Sequence, residues 1–150
     1  MRLGVAMGRA GAARAAMDLS DGLADALRQV AAASGCGVRV DAGALPIEPA
    51  AAKWWTARGV DPITAAIAGG DDYELLFAVP ARGGGRMRHV TRRVADPPLT
   101  KIGVFTKDAG ALVVERGGRD EELPLGYEHF RSAEPGARSP EPGTRLNENR

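Results

Sequence analysis

Met17-Asp18-Leu19-Ser20-Asp21-Gly22-Leu23 is answered, about fifty residues later, by Gly69-Gly70-Asp71-Asp72-Tyr73-Glu74-Leu75, and these two stretches decide how the chain reads. Each crowds carboxylates beside glycine inside an apolar run. An ionised carboxylate is costly to bury unless a cation or several donors compensate it. The donors here are hard oxygens without accompanying His or Cys, a set that suits Mg²⁺. Mg²⁺ held by one or two carboxylates commonly shares its shell with phosphate, so the pair of motifs points to phosphate chemistry.

Outward from the first motif, Ala16, Asp18 and Ser20 alternate with Met17 and Leu19 as at a strand end. Leu23, Leu27, Val30 and Ala31 then recur at helical spacing, Ser20 or Asp21 stands where a cap belongs, and Gly35 and Gly37 stop the helix. A strand-to-helix junction of this kind offers unpaired amides and the positive end of the helix dipole to phosphate. Capping alone accounts for Ser20 or Asp21 but gives Asp18 no role. Around the second motif, Tyr73, Leu75 and Phe77 alternate with Glu74, Leu76 and Ala78 as in a buried strand, with Asp71 and Asp72 at its entrance. A turn followed by a solvated strand face is the alternative reading of Asp71, Asp72 and Glu74.

Elsewhere, Val38, Val40 and Leu45-Pro46 predict a strand ending in a turn, and residues 49–58 and 61–68 predict helices divided at Gly59. Gly83-Gly84-Gly85 reads as a loop, residues 86–95 as a short basic helix, and Ile102–Phe105 and Ala111–Glu115 as strands, the latter followed by a Gly117-Gly118 turn. The first seventeen residues carry Arg2, Arg9 and Arg14 and no acid. They read as a lead-in to the Asp18 strand rather than as a transit peptide. The alternation of strands and helices predicts an α+β or α/β sandwich, two layers with one sheet. Residues 132–150 have almost nothing to bury and predict a disordered C-terminal tail, which leaves one domain over residues 1–131.

A chain of 150 residues with 44% hydrophobic content can bury one core. Its formal net charge of +1 gives no electrostatic reason to expect nucleic acid or an anionic membrane as partner. Cys36 stands alone, which excludes an intrachain disulfide and an intrachain thiolate cluster and fits a reducing cytoplasm. No stretch approaches the roughly 20 apolar residues of a membrane helix. Gly83-Gly84-Gly85 lacks the Lys and Ser or Thr of a P-loop. Arg86, Arg88, His89, Arg92 and Arg93 scatter around a helix and read as a solvated face, and Trp54 and Trp55 read as packing residues. His89 and His129 have no Ser or Cys nearby in a triad-like pattern, so no catalytic nucleophile is expected.

Taken in order, the Asp18 motif, Asp41 to Pro46, Gly69 to Phe77, Ile102-Gly103 and Gly126-Tyr127-Glu128-His129-Phe130 closely resemble the thiamine-monophosphate kinase family. The resemblance runs from about residue 4 to residue 130 and covers only the C-terminal half of that enzyme. The family belongs to the aminoimidazole ribonucleotide synthetase superfamily, and the resemblance implies the C-terminal domain fold of that superfamily, an α+β sandwich. It implies Mg²⁺ on Asp18 and Asp21, ATP contact from Ser20, and thiamine monophosphate contact from Asp71 and Tyr127, with Asp72 and Glu74 secondary. Glu is common where Asp71 stands, and Trp where Tyr127 stands.

The implied reaction moves the γ-phosphoryl of ATP onto thiamine monophosphate to give thiamine diphosphate. In the family an N-terminal nucleotide-binding domain supplies further metal-binding aspartates and most of the ATP pocket. That domain is expected to be missing here, to be needed in cis or in trans, and to leave this chain inactive alone with an apolar docking face exposed. A homodimer stays open, because superfamily dimers commonly rely on the N-terminal domain. Two alternatives remain: a non-catalytic Mg²⁺- or phosphate-binding or assembly domain, and another ATP-dependent member of the superfamily.

Overall fold

Glycine and proline punctuate the elements. In a computed structural model that describes residues 2–94 and 97–126, the chain runs through α1 (Arg2–Ala10), β1 (Ala15–Leu19), α2 (Leu23–Ser34) and β2 (Gly37–Asp41), which ends in a single 3₁₀ turn, Ala42–Ala44. It continues through α3 (Pro49–Thr56), α4 (Pro62–Ala68), β3 (Asp72–Ala78), α5 (Gly84–Arg93), β4 (Gly103–Thr106), β5 (Leu112–Arg116) and β6 (Arg119–Glu122). Pro49 and Pro62 open α3 and α4, where a missing N–H costs nothing. Gly35 closes α2 in the left-handed conformation, at φ 59°, its N–H turned back to the Ala31 and Ala32 carbonyls. The mixed α+β architecture expected from the sequence is the one observed. The strands divide, however, into two sheets rather than the one expected: an antiparallel pair β1–β3, and a four-stranded sheet in the order β4-β2-β5-β6. Within the larger sheet β2 runs antiparallel to β4 and parallel to β5, and β5 and β6 form a hairpin.

Helix α2 ties the two sheets together. Its Leu23, Ala24, Ala26 and Leu27 share one buried cluster with Leu19 of β1, Val38 and Val40 of β2, Ile67 of α4, Val114 of β5 and Leu123. A second cluster packs Leu3 and Met7 of α1 against Ala12 and Val90 of α5, with Phe77 of β3 alongside.

Three further expectations are corrected. The lead-in segment contains helix α1, because Leu3 and Met7 lie one turn apart and bury together. Gly84 and Gly85 form the first turn of α5 rather than a loop. In β3, expected to be buried, Tyr73 and Leu75 are exposed, since β3 pairs with β1 alone. Strand β6, Arg-Asp-Glu-Glu, was not foreseen; it is a fully exposed edge in which every residue is charged. The tail over 132–150 and the substrate residue Tyr127 lie outside the described residues. Among those described, no helix is long and apolar enough to cross a membrane.

Candidate functional site

The two acidic motifs meet through the β1–β3 ladder. Its register pairs Ala15 with Ala78, Ala16 with Phe77, Met17 with Leu76 and Asp18 with Leu75, then shifts so that Leu19 pairs with Asp72. The shift leaves Tyr73 and Glu74 without opposite partners, and irregularities of this kind re-aim side chains where a strand borders a site. Beyond the ladder the Asp71 N–H donates to the Ser20 carbonyl at 2.8 Å. Gly22, at φ 89° and ψ 166°, lies so close to the second motif that a Cβ there would stand 2.0 Å from the Gly69 carbonyl oxygen. Only glycine tolerates both that backbone conformation and that approach. Asp71 itself adopts φ 63°, a left-handed conformation that a short polar side chain tolerates better than most.

This junction encloses an open pocket of about 250 Å³ lined by Asp18, Ser20, Asp71, Asp72, Tyr73, Glu74 and Leu75. Of the residues singled out in the sequence, Asp18, Ser20 and Asp71 therefore come together, with Asp72 and Glu74 beside them. Asp21 does not line the pocket; it follows Ser20 in the chain and is half-buried.

Ser20 does not cap α2. The N-cap position falls to Gly22, with no side-chain cap bond. The Ser20 hydroxyl is instead engaged by Asp18, donating to its Oδ2 at 2.5 Å. That bond, aided by backbone amides, holds the Asp18 carboxyl below its ordinary pKa. Asp72 moves the other way: burial, then the neighbouring charges of Glu74 and Asp71, push its carboxyl up. One pocket thus holds one carboxylate stabilised as an anion and another that resists ionisation.

The donor set fits Mg²⁺ in part. Every polar side-chain atom lining the pocket is oxygen, as a hard cation requires. Yet among the described residues no three His, Cys, Asp or Glu side chains gather closely enough to enclose a metal ion. The site therefore suits an ion bound through one or two carboxylates, with phosphate and water completing its shell.

Sequence reasoning missed the exposure of Tyr73 and Leu75 and the Ser20–Asp18 bond. Alternation cannot reveal a register shift. The one available signal was the Gly69-Gly70-Asp71-Asp72 run, whose turn-forming residues allow the chain to enter β3 irregularly.

With this geometry in place, similarity to known proteins is informative. The family described as AIR synthase related protein, C-terminal domain, matches residues 1–123. The thiamine-monophosphate kinase of Escherichia coli K12 is 39% identical over 122 residues, which are 79% of this chain and 36% of that enzyme. The crystal structure of thiamine-monophosphate kinase from Stenotrophomonas maltophilia K279a superposes with a TM-score of 0.60 at 36% identity, over 70% of this chain and 32% of that one. The structure of AaThiL complexed with AMPPCP and TMP superposes with a TM-score of 0.57 at 31% identity, over 79% of this chain and 34% of that one. The chain thus spans about a third of the length of the relatives it matches.

Proposed function

The chain belongs to the family of AIR synthase related proteins, as their C-terminal domain, and from that membership we propose that it is the C-terminal half of a thiamine-monophosphate kinase. Its reaction is transfer of the ATP γ-phosphoryl to thiamine monophosphate, giving thiamine diphosphate. The observation that carries this reading is the β1–β3 ladder, which joins Asp18 and Ser20 to Asp71, Asp72 and Glu74 in one oxygen-lined pocket. The kinase relatives, and a neighbour complexed with AMPPCP and TMP, give it further support.

In this reading Asp18 and Asp21 hold Mg²⁺, Ser20 contacts ATP, and Asp71 and Tyr127 contact thiamine monophosphate. A phosphate oxygen as nucleophile needs little deprotonation, so catalysis consists of neutralising charge and aligning the attacking and leaving oxygens. Bound Mg²⁺ supplies the charge neutralisation. Ser20, by donating to Asp18, keeps that carboxylate ionised and fixed in direction. The register shift points Glu74 and Tyr73 at the pocket while the Asp71–Ser20 backbone bond holds the two motifs at a fixed separation.

The pocket is open, and Tyr73 and Leu75 stand exposed at its edge. Both features suit half of a site that an N-terminal nucleotide-binding domain completes, in cis or in trans, in the cytoplasm. The chain alone is inactive, because in-line transfer from a half-site loses orders of magnitude in rate.

Isothermal titration with thiamine monophosphate, with and without Mg²⁺ and ATP, tests this reading. We expect binding that Asp71→Asn weakens, and no thiamine diphosphate formed by the chain alone. A folded chain giving no heat under any of these conditions would instead favour a non-catalytic assembly domain.

A further inference from the structure

Helices α1 and α5 lie side by side over the second buried cluster, and their outer surfaces leave a groove of about 550 Å³. On α1 the groove is lined by residues 2, 5, 6, 9 and 10, a single helical stripe; on the other side it is lined by residues 89, 90 and 93 of α5 and by Val94, which caps its C-terminus. Its floor is apolar, with Val5, Ala6, Val90 and Val94, and Val5 is half exposed. Arg2, Arg9, His89 and Arg93 stand around it. Across their whole length the two helices carry six arginines and a histidine and no acid, in a chain whose formal net charge is only +1. Among the described residues none of Arg2, Arg9 and Arg93 meets a carboxylate. Read from sequence, the α5 arginines were scattered around one helix. The fold brings two of its basic residues, His89 and Arg93, opposite Arg2 and Arg9.

We propose that this groove docks an acidic amphipathic helix of a partner protein. The apolar floor takes aliphatic anchors spaced at i, i+3 or i+4, and i+7, the mode in which a helix lies in a groove between two others. The arginines meet carboxylates flanking those anchors, and a rim with three arginines and no acid favours that partner over neutral or basic ones. Helix α1 is about 13 Å long, room for somewhat more than two turns of such a partner. Nucleic acid fits less well, because the groove offers no Trp, Tyr or Phe ring on which a base could stack. The acidic pocket between β1 and β3 has no part in this proposal.

The test uses the whole 150-residue chain, labelled for NMR, and a synthetic helix-forming peptide with leucine at those spacings and glutamate beside them. We expect amide shifts confined to α1 and α5. We expect affinity to fall at least tenfold for Arg9→Glu/Arg93→Glu, and also for Val5→Asp, each shown by circular dichroism to be folded. A permuted peptide of the same composition should bind at least tenfold more weakly. Equal binding of the permuted peptide, shifts elsewhere or none at all, or duplex DNA binding as tightly to the same residues would each overturn the proposal.

Discussion

Gly22→Ala is the perturbation that bears most directly on how the two motifs are joined. A Cβ at residue 22 would lie 2.0 Å from the Gly69 carbonyl oxygen and 3.0 Å from its carbon, where real Cβ contacts essentially never fall below 3.0 Å. The Gly69 carbonyl must retreat by about 1 Å, and it belongs to the segment from which Asp71 donates to the Ser20 carbonyl. Losing that bond costs about 1 kcal/mol. The backbone at residue 22, at φ 89° and ψ 166°, lies in a region essentially reserved for glycine, which adds about 1–3 kcal/mol. Together we expect a loss of about 2–4 kcal/mol, or a fall in Tm of roughly 4–16 °C for a chain of this size. Gly35→Ala is the internal control. That glycine also has positive φ, 59°, but nothing lies within 4 Å of its virtual Cβ, so only the left-handed conformation is penalised, at about 1–2 kcal/mol. Thermal and urea unfolding followed by far-UV circular dichroism compare the two. A Gly22→Ala chain that is no less stable than Gly35→Ala would refute the close approach as the device that aligns the motifs.

Two further outcomes concern charge. The fold raises the Asp72 carboxyl above 3.8, so the native state holds that proton more tightly than the unfolded chain does. That advantage is complete below the unfolded value and disappears as pH rises through the raised one, leaving ionised Asp72 a burden at neutral pH. Asp72→Asn should therefore raise Tm at pH 7 and leave it unchanged near pH 3; an unchanged Tm at pH 7 would contradict the crowding of carboxylates. Asp61 caps α4 by accepting from Thr64, and that residue together with Arg116 lowers its carboxyl to about 2. Its contribution is present above 3.8 and fades as pH falls towards about 2. Asp61→Ala should cost about 1 kcal/mol at pH 7 and flatten the Tm profile below pH 4, whereas an unaltered acid limb would rule out this cap as the titrating group.

Much of the fold was legible because the signals were local. The Leu23–Ala31 stripe and the glycines after it marked α2, the break at Gly59 divided α3 from α4, and apolar runs marked β2, β4 and β5. What escaped depends on long-range packing. Helix α1 offers only Leu3 and Met7 as a stripe, and its other residues are glycine, alanine, valine and arginine. Strand β6 has no apolar residue at all; it exists because Gly117 and Gly118, both at positive φ, reverse the chain and lay it against β5. The residues of the site were legible by composition, since carboxylates beside glycine in an apolar run demand an explanation. Their mutual geometry was not: the shift that pairs Leu19 with Asp72, and the Ser20 hydroxyl bound to Asp18 instead of to the end of α2, are properties of the pairing between two distant strands. The same limit concealed the basic groove, whose residues come from two helices far apart in the sequence.

The central claim is that the two acidic motifs form one metal- and phosphate-binding half-site. Mn²⁺, as a paramagnetic stand-in for Mg²⁺, tests it in a single NMR titration of the labelled chain. The account requires amide signals of residues 18–22 and 70–75 to broaden together at low Mn²⁺, and Asp18→Asn to abolish the broadening in both segments. Broadening of one segment without the other, or of neither, would contradict it.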